Sequence, residues 1–346
     1  FVGLASLMGV SPAIAAGAAV SGAFLGDKIA KISDTLVLTT AVVGGVSVDE
    51  HRKMVIRTAI PTWIISAVLF TVLGFTSSST ATTISPAEVQ ATIDQVFNIS
   101  LLAFVPIIII FGLSSLQISG FITLMLSSLA AVVLAGFTQP ELINSLVPDP
   151  DMGYFAAVTK VGIATLADGF HLDSGNAQMD QLFSGGGTFS MFETIWLILI
   201  AASFGAIADY TGMIQRVITP VINWTKGPSS LIVTTMLTSI GLNIFAADPY
   251  VGIVLTGRMY RKTYIEQRLK PVVLSTAIAD SGSIMSAIIP WNVHGAFVAG
   301  ALGIGVLYFA PYAFMCYLSA IVTVIIGFLY FRKDTLDASE NAATVY

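Results

Sequence analysis

Long apolar runs alternate with short polar interruptions along this chain. The runs Thr58–Phe75, Ile99–Leu116, Phe121–Phe137, Phe192–Ala208, Ser229–Ala247 and Pro311–Phe331 each approach the length that a bilayer's hydrocarbon core demands of a helix. Lipid offers no hydrogen bonds to backbone groups, so such runs must satisfy themselves as helices or as a closed barrel. They are too long and too uniformly apolar for barrel strands. The pattern predicts an all-α, polytopic, multi-pass membrane protein.

Two further crossings are predicted to be discontinuous helices. The stretch from about Gly9 to Val48 is interrupted at Gly26–Thr35, where Asp27, Lys28, Lys31 and Asp34 fall at membrane depth. The stretch from Pro271 to Gly305 is interrupted at Asp280–Ser286 and again at Pro290-Trp291-Asn292. Charges inside the bilayer cost a few kcal/mol each on insertion scales and mark ion or substrate paths. A pair of such breaks in corresponding places of two halves points to a secondary transporter's binding site.

Composition agrees: apolar residues are 55% of the chain, charged residues 10%, and mean hydropathy is +0.86. It also excludes several classes. The lone Cys316 forbids a disulfide within the chain, and His51, His171 and His294 show no metal-ligand spacing. A net charge of −5 provides no basic face for nucleic acid. The chain opens on Phe1-Val2-Gly3 without an initiator Met, which reads as a missing N-terminal part.

Twelve of the fifteen basic residues cluster at Arg52–Arg57, Arg216/Lys226, Arg258–Lys270 and Arg332-Lys333, and should be cytoplasmic. Segments 76–98 and 138–189 hold only Lys160 against eight acidic residues and should face outward. Only about thirty residues separate the basic positions 226 and 258. They predict a re-entrant hairpin over 229–256, with its tip near Asn243–Pro249 and both ends cytoplasmic. Each broken crossing is then followed by an ordinary span, in opposite orientations, which is an inverted repeat. The expected organisation is 1–75 as the C-terminal part of a first repeat, 76–98 as an external loop, 99–331 as the second repeat with scaffold helices, and 332–346 as a cytoplasmic tail. Phe1–Met8 would be the remnant of a first hairpin.

The breaks combine carboxylates, hydroxyls and small residues, the hard oxygen donors that an alkali cation takes in exchange for water. Asp27, Asp34 and Asp280 are the candidate carboxylates, able to hold either sodium or a proton. Ser33, Thr35, Ser281, Ser283 and Asn292 are candidate neutral ligands, and Asn243 and Asp248 stand at the predicted hairpin tip. Asp27, Lys31 and Asp34 have i, i+4, i+7 spacing, so a continuous helix would stack them as a salt-bridge ladder. His294, two residues after Asn292, is either a proton shuttle or a packed neutral ring. His171, beside Asp168 and Asp173, reads as a solvated loop residue.

Gly22-Ala23-Phe24-Leu25-Gly26-Asp27-Lys28-Ile29 with Ser33-Asp34-Thr35 resembles the GA-x-x-GDK-x-x-x-x-SDT signature of NhaC-type sodium/proton antiporters. Ser184-Gly185-Gly186-Gly187 with Ser190-Met191, Gly257-Arg258-Met259-Tyr260, Asp280-Ser281-Gly282-Ser283 and Ile289-Pro290-Trp291-Asn292 resemble further segments of that family, over nearly the whole chain. Lys31, Ala279 and Met285 depart from its pattern. The resemblance implies a carrier of the ion transporter superfamily in the cell inner membrane, exchanging sodium for protons by alternating access, with no cofactor beyond the transported ions. The alternative is a coupled exchanger of small carboxylates such as malate and lactate. A homodimer is compatible with this reading. An enzyme is not expected: Phe24-Leu25-Gly26-Asp27 lacks the first glycine of the Gly-x-Gly-Asp signature of intramembrane aspartyl proteases.

Overall fold

A computed structural model describes residues 2–7, 9–31, 33–76, 86–116, 118–147, 151–173, 180, 183–214, 216, 220 and 227–329. The ends of the Phe1–Met8 remnant, residues 77–85 of the outward segment, Lys226 and the 332–346 tail lie outside them. The helices are α1 (Val2–Leu7), α2 (Pro12–Ile29), α3 (Asp34–Val43), α4 (Val48–Thr76), α5 (Pro86–Val96), α6 (Val105–Ser115), α7 (Gly120–Thr138), α8 (Pro140–Ser145), α9 (Tyr154–Asp168), α10 (Phe192–Tyr210), α11 (Pro228–Ala246), α12 (Pro249–Glu266), α13 (Pro271–Ile278), α14 (Val293–Leu302), α15 (Val306–Phe309) and α16 (Phe314–Leu329). The strands among the described residues, β1 (Gly169–Phe170) and β2 (Gly185–Gly186), form one short antiparallel ribbon. Five of these helices are long and apolar enough to cross a membrane, or seven if each bent pair counts as one crossing. The protein is an all-α, multi-pass membrane protein.

The chain divides into two compact units, 1–6 with 10–79 and 193–346, and 7–9 with 80–192. These units cut across the repeat boundaries drawn from the basic loops, because compactness and membrane orientation are different properties. In the second unit α9 packs on α7 through small residues, with Gly136 under Val158 and Gly162 under Val132. This helix occupies part of the segment read as an outward stretch. Its fifteen residues are too few to announce a span.

The first unit holds both broken crossings, and its burial is graded. The window of Pro271–Ile288 is 78% buried, whereas that of α4 is 22% buried and that of α10 17%. Trp63, Ile64, Val68 and Val72 on α4 face outward, as lipid-facing side chains do. The basic residues Arg52, Lys53 and Arg57 lie on α4 itself, and Arg258, Arg261 and Lys262 on α12, not in loops. Helices continue past the hydrocarbon zone, and long basic side chains reach out to water.

Contacts fix the directions of the helices. Gly17 packs on Tyr312, Ser21 Oγ accepts the N–H of Met315, and Lys28 reaches Ser319, so α2 runs parallel to α16. Phe70 packs on Phe314, and Lys28 joins Thr58 to Ser319, so α4 runs antiparallel to α16. Ile232 lies on Gly327, Gly282 on Ser239, and Thr323 bonds Asp280, which places α11 and the α13 segment antiparallel to α16. The two broken crossings therefore run in opposite directions, and so do the spans that follow them. Gly44 and Gly45 make the turn between α3 and α4 with φ of +66° and +69°, a region closed to most side chains.

Helices α11 and α12 form the expected hairpin. Asn243 meets Gly252, Thr238 bonds Tyr260, and Thr235 bonds Tyr264, an antiparallel register with the turn at Ala247-Asp248. Its boundaries differ from the sequence reading, because the second arm runs on to Glu266. At about 1.5 Å per residue each arm reaches nearly the ~30 Å of the hydrocarbon core.

One ion pair ties the two breaks together. Lys28 Nζ lies 2.5 Å from Asp280 Oδ1, with the side chains 2% and 0% exposed. The same ammonium donates to Ser319 Oγ at 2.7 Å and Thr58 Oγ1 at 3.2 Å. Two of the ammonium's three N–H donors thus go to α4 and α16, and its charge faces the second break. Asp280 Oδ1 has no well-directed hydrogen bond, so its contact with Lys28 is an ion pair in the plain sense, while Oδ2 accepts from Thr323 Oγ1.

Two outcomes follow from this packing. Cysteines placed at Ser229 and at Lys262, on a Cys316→Ser background, will react with impermeant reagent from the same side of the membrane; labelling from opposite sides would break the hairpin. Lys28→Met or Asp280→Asn alone leaves a buried group without its partner and lowers stability by about 3–5 kcal/mol. The pair Lys28→Met with Asp280→Leu recovers most of that loss, because a buried ion pair is replaceable by apolar residues of similar size. Thermal unfolding in detergent reads both, and single variants as stable as the parent would contradict the pairing.

Candidate ion site

The first break forms because α2 stops at Ile29 and Ala30 turns extended, with φ −76° and ψ 130°. Ser33 then caps α3, its Oγ accepting from Leu36 N–H at 3.2 Å. Asp27 sits in the last turn of α2, and Thr35 in the first turn of α3. Thr35 Oγ1 donates to Asp27 Oδ2 at 2.9 Å and lies 2.9 Å from Ser33 Oγ. Asp34 accepts from the Tyr250 hydroxyl at 2.5 Å and from its neighbour's amide, Thr35 N–H, at 2.8 Å. An acidic residue at a helix start is also favoured by the helix dipole.

The ladder along Asp27, Lys31 and Asp34 is not formed. Lys31 points outward to Asp49 at 2.6 Å, with side chains 53% and 61% exposed. The helix ends between Asp27 and Lys31, so the three residues never share a helical face. An exposed pair of this kind contributes little to stability.

The second break is a turn of π-helix at Ala279–Ser283, a 3₁₀ turn at Ser286–Ile288, and extended backbone at Ile289. Asp280 is turned back towards Lys28 and Thr323. Ser281 Oγ donates to Ala277 O at 2.6 Å, one turn earlier in its own helix. Asn292 caps α14, accepting from His294 N–H at 3.1 Å. Its amide donates to Asn243 O and Oδ1, both at 3.2 Å, while Asn243 Nδ2 donates to Ser239 O at 2.9 Å. Gly282 lies flat on this cluster: a Cβ there would fall 2.1 Å from Ser239 Oγ. Asp248 caps α12, accepting from Tyr250 N–H at 2.7 Å and Val251 N–H at 3.0 Å. Thus Ser33, Asp248, Asn243, Asn292 and Ser281 all spend polar atoms on the local fold.

His294 packs edge-on against Phe24 and Tyr250, with ring centroids 5.7 Å and 6.2 Å apart. Its Nδ1 lies 2.7 Å from Ser286 Oγ. His171 is exposed, as read from the sequence.

Between the two breaks lies a small cavity. Asp27, Lys28, Thr35, Thr39, His51 and Ser283 line it with polar groups, and Phe24, Leu36, Ala279 and Ile284 close it. Its free volume is about 10 Å³, room for roughly one water-sized particle. Of the residues singled out by sequence, the cavity gathers Asp27, Thr35 and Ser283. Asp34 is engaged with Tyr250, and Asp280 stands behind Lys28. The three carboxylates do not converge: among the described residues, no three of His, Cys, Asp and Glu are grouped to hold a metal ion. Lys28, Thr39 and His51 are the additions. Lys28 carried a signal, because a lysine at membrane depth needs a buried anion. His51 carried none, being next to Arg52 and Lys53 in a stretch that reads as a cytoplasmic surface.

The lining offers a carboxylate and hydroxyls in a space that excludes a hydrated ion, beside a fixed ammonium whose charge Asp280 balances. Such a donor set can chemically accommodate a bare cation or a proton on Asp27, one excluding the other.

Comparisons with known proteins bear on the same residues. A family model described as the Na+/H+ antiporter family matches residues 22–331, from Gly22 on α2 through α16. The Na+/H+ antiporter NhaC of Alkalihalophilus pseudofirmus is 29% identical over 95% of this chain and 67% of its own length. The arginine/ornithine antiporter ArcD of Halobacterium salinarum is 30% identical over 99% of this chain and 68% of its own. The malate-2H+/Na+-lactate antiporter of Bacillus subtilis is 23% identical over 96% and 69%. No solved structure gives a significant match. A family match across both breaks and the hairpin between them, with similar relatives over nearly the whole chain, places this protein in the Na+/H+ antiporter family.

Proposed function

We propose that this protein exchanges sodium for protons across the cytoplasmic membrane, and that the two ions compete for Asp27 in the cavity between the breaks. The observation that carries this reading is the cavity's size. Sites for small organic ligands run to several hundred Å³, whereas this one admits about one water-sized particle. A monatomic cation fits such a space, and malate, lactate, arginine or ornithine does not.

Charge supports the same reading. Lys28 and Asp280 neutralise each other, which leaves Asp27 as the carboxylate of the cavity with an unassigned charge state. Asp27 is half-buried, and its oxygens can hold a proton or a cation but not both, an exclusion that couples the two flows. Thr35 donates to Asp27 now, and its oxygen, like those of Thr39 and Ser283, can also face a cation. The opposed directions of the two broken crossings suit alternating access, in which one repeat rocks against the other around a fixed site. A membrane aspartyl protease needs two carboxylates sharing a proton; here Asp280 is committed to Lys28, which does not support that chemistry.

In proteoliposomes with a trapped pH-sensitive dye, an imposed sodium gradient will drive proton flux, and labelled malate, lactate, arginine and ornithine will show no counterflow. Counterflow of any of the four would instead favour an organic cargo. Asp27→Asn keeps the shape of the side chain and removes the competition, so it abolishes sodium-dependent proton flux while the protein remains folded. Undiminished flux in that variant would remove Asp27 from the exchange.

A further inference from the structure

His51 is fully buried at the start of α4 and lines the cavity. Its Nδ1 lies 2.8 Å from Ser275 Oγ on α13. Ser275 Oγ also lies 2.9 Å from Val272 O, which can only accept, so the single hydroxyl proton of Ser275 goes there. The bond to His51 is then donated by Nδ1–H, and a neutral ring with that tautomer carries a bare lone pair on Nε2. That nitrogen is buried and has no hydrogen-bond partner. An unsatisfied buried acceptor of this kind is destabilising unless something fills the space beside it. The charged groups around the ring are Asp27 and Lys28 from α2 and Asp280 from the second break, and Lys28 is already held by Asp280, Ser319 and Thr58.

We propose that the Nε2 lone pair of His51 is a ligand of the single particle the cavity holds: a monatomic cation, or the water that takes its place. The shared chemistry is a water-sized acceptor of an electron pair. This deepens the sodium/proton reading by adding a residue to the same site. Ser275 is then a positioning residue, fixing the tautomer that turns the lone pair inward.

Two substitutions separate the two ends of the ring. Asn reproduces the Nδ1–H donor to Ser275 and loses the group facing the cavity; Gln reaches the Nε2 position with an oxygen and loses the donor to Ser275. If Nε2 is a ligand, His51→Asn raises the apparent KM for sodium by about tenfold or more, and His51→Gln, which restores an acceptor at that place, recovers most of that loss. The reverse order would show that His51 serves the helix contact alone and would overturn the proposal. An independent arm uses the unaltered protein, ¹⁵N-histidine-labelled in liposomes, and asks for the Nε2 resonance of the Nδ1–H tautomer. A shift on adding sodium but not choline identifies the cation as occupant, and a hydrogen-bonded position indifferent to sodium identifies water. A free lone-pair position under both conditions, or an Nε2–H tautomer, overturns the assignment. This arm needs no transport, so a parent protein that exchanges no sodium would defeat the functional reading and leave the His51 question still decided.

Discussion

A lysine ammonium buried at the level of a bilayer must find an anion and neutral acceptors for its N–H groups, and Lys28 finds both at one point. Its anion comes from the second break, and its neutral acceptors come from the two unbroken spans α4 and α16. Four elements therefore converge on one atom. Desolvating two charges costs several kcal/mol for each ion, and only close geometry with further hydrogen bonds offsets it. That requirement forces the two breaks to the same depth. The cavity exists because α2 and the π-turn are held together there while Ala30 and Ser33 lead the chain away.

The relatives carry different cargoes under their own names: sodium and protons, arginine and ornithine, malate and lactate. Fold does not decide among these; the site does. In this chain Phe24, Leu36 and Ile284 close the cavity around Asp27. Smaller side chains at those positions would enlarge it without touching the Lys28–Asp280 pair. A scaffold whose charges are fixed by one pair and whose volume is fixed by separate apolar residues can vary cargo size independently of its internal neutrality.

Much of the architecture could be read from residue patterns. The spans were visible because hydrophobic length is a nearly sufficient cause of a membrane helix. The breaks were visible because Gly26-Asp27 and Asp280-Ser281-Gly282-Ser283 have no reason to be apolar-helix residues. The opposed orientations followed from where Lys and Arg fall. Local spacing failed at Lys31, because the i, i+4 rule assumes the continuous helix that the break removes. It failed again at Ser33 and Asp248, whose oxygens cap helices, a use that sequence cannot distinguish from ion ligation. Lys28 and Asp280 are 252 positions apart by their numbers, so no local pattern could join them. His51 faces inward only because Ser275, far along the chain, holds its ring.

The contacts between the hairpin tip and the second break have a mechanical meaning. Asn292 bonds Asn243, Trp291 Nε1 donates to Ile244 O at 2.7 Å, and Val293 N–H donates to Ala247 O at 2.9 Å, with Gly282 pressed flat on Ser239 nearby. Each bond is worth about 1 kcal/mol net, and together with the close packing they make tip and break a single stiff piece. The first broken crossing meets that piece mainly through apolar packing, with Phe24 and Ile284 in one cluster and Val42 on Gly257, and its polar ties are the Tyr250–Asp34 bond and the Lys28–Asp280 pair. The seam between the two breaks is thus largely apolar and non-directional, so sliding along it breaks few hydrogen bonds and reshapes the cavity that lies on it.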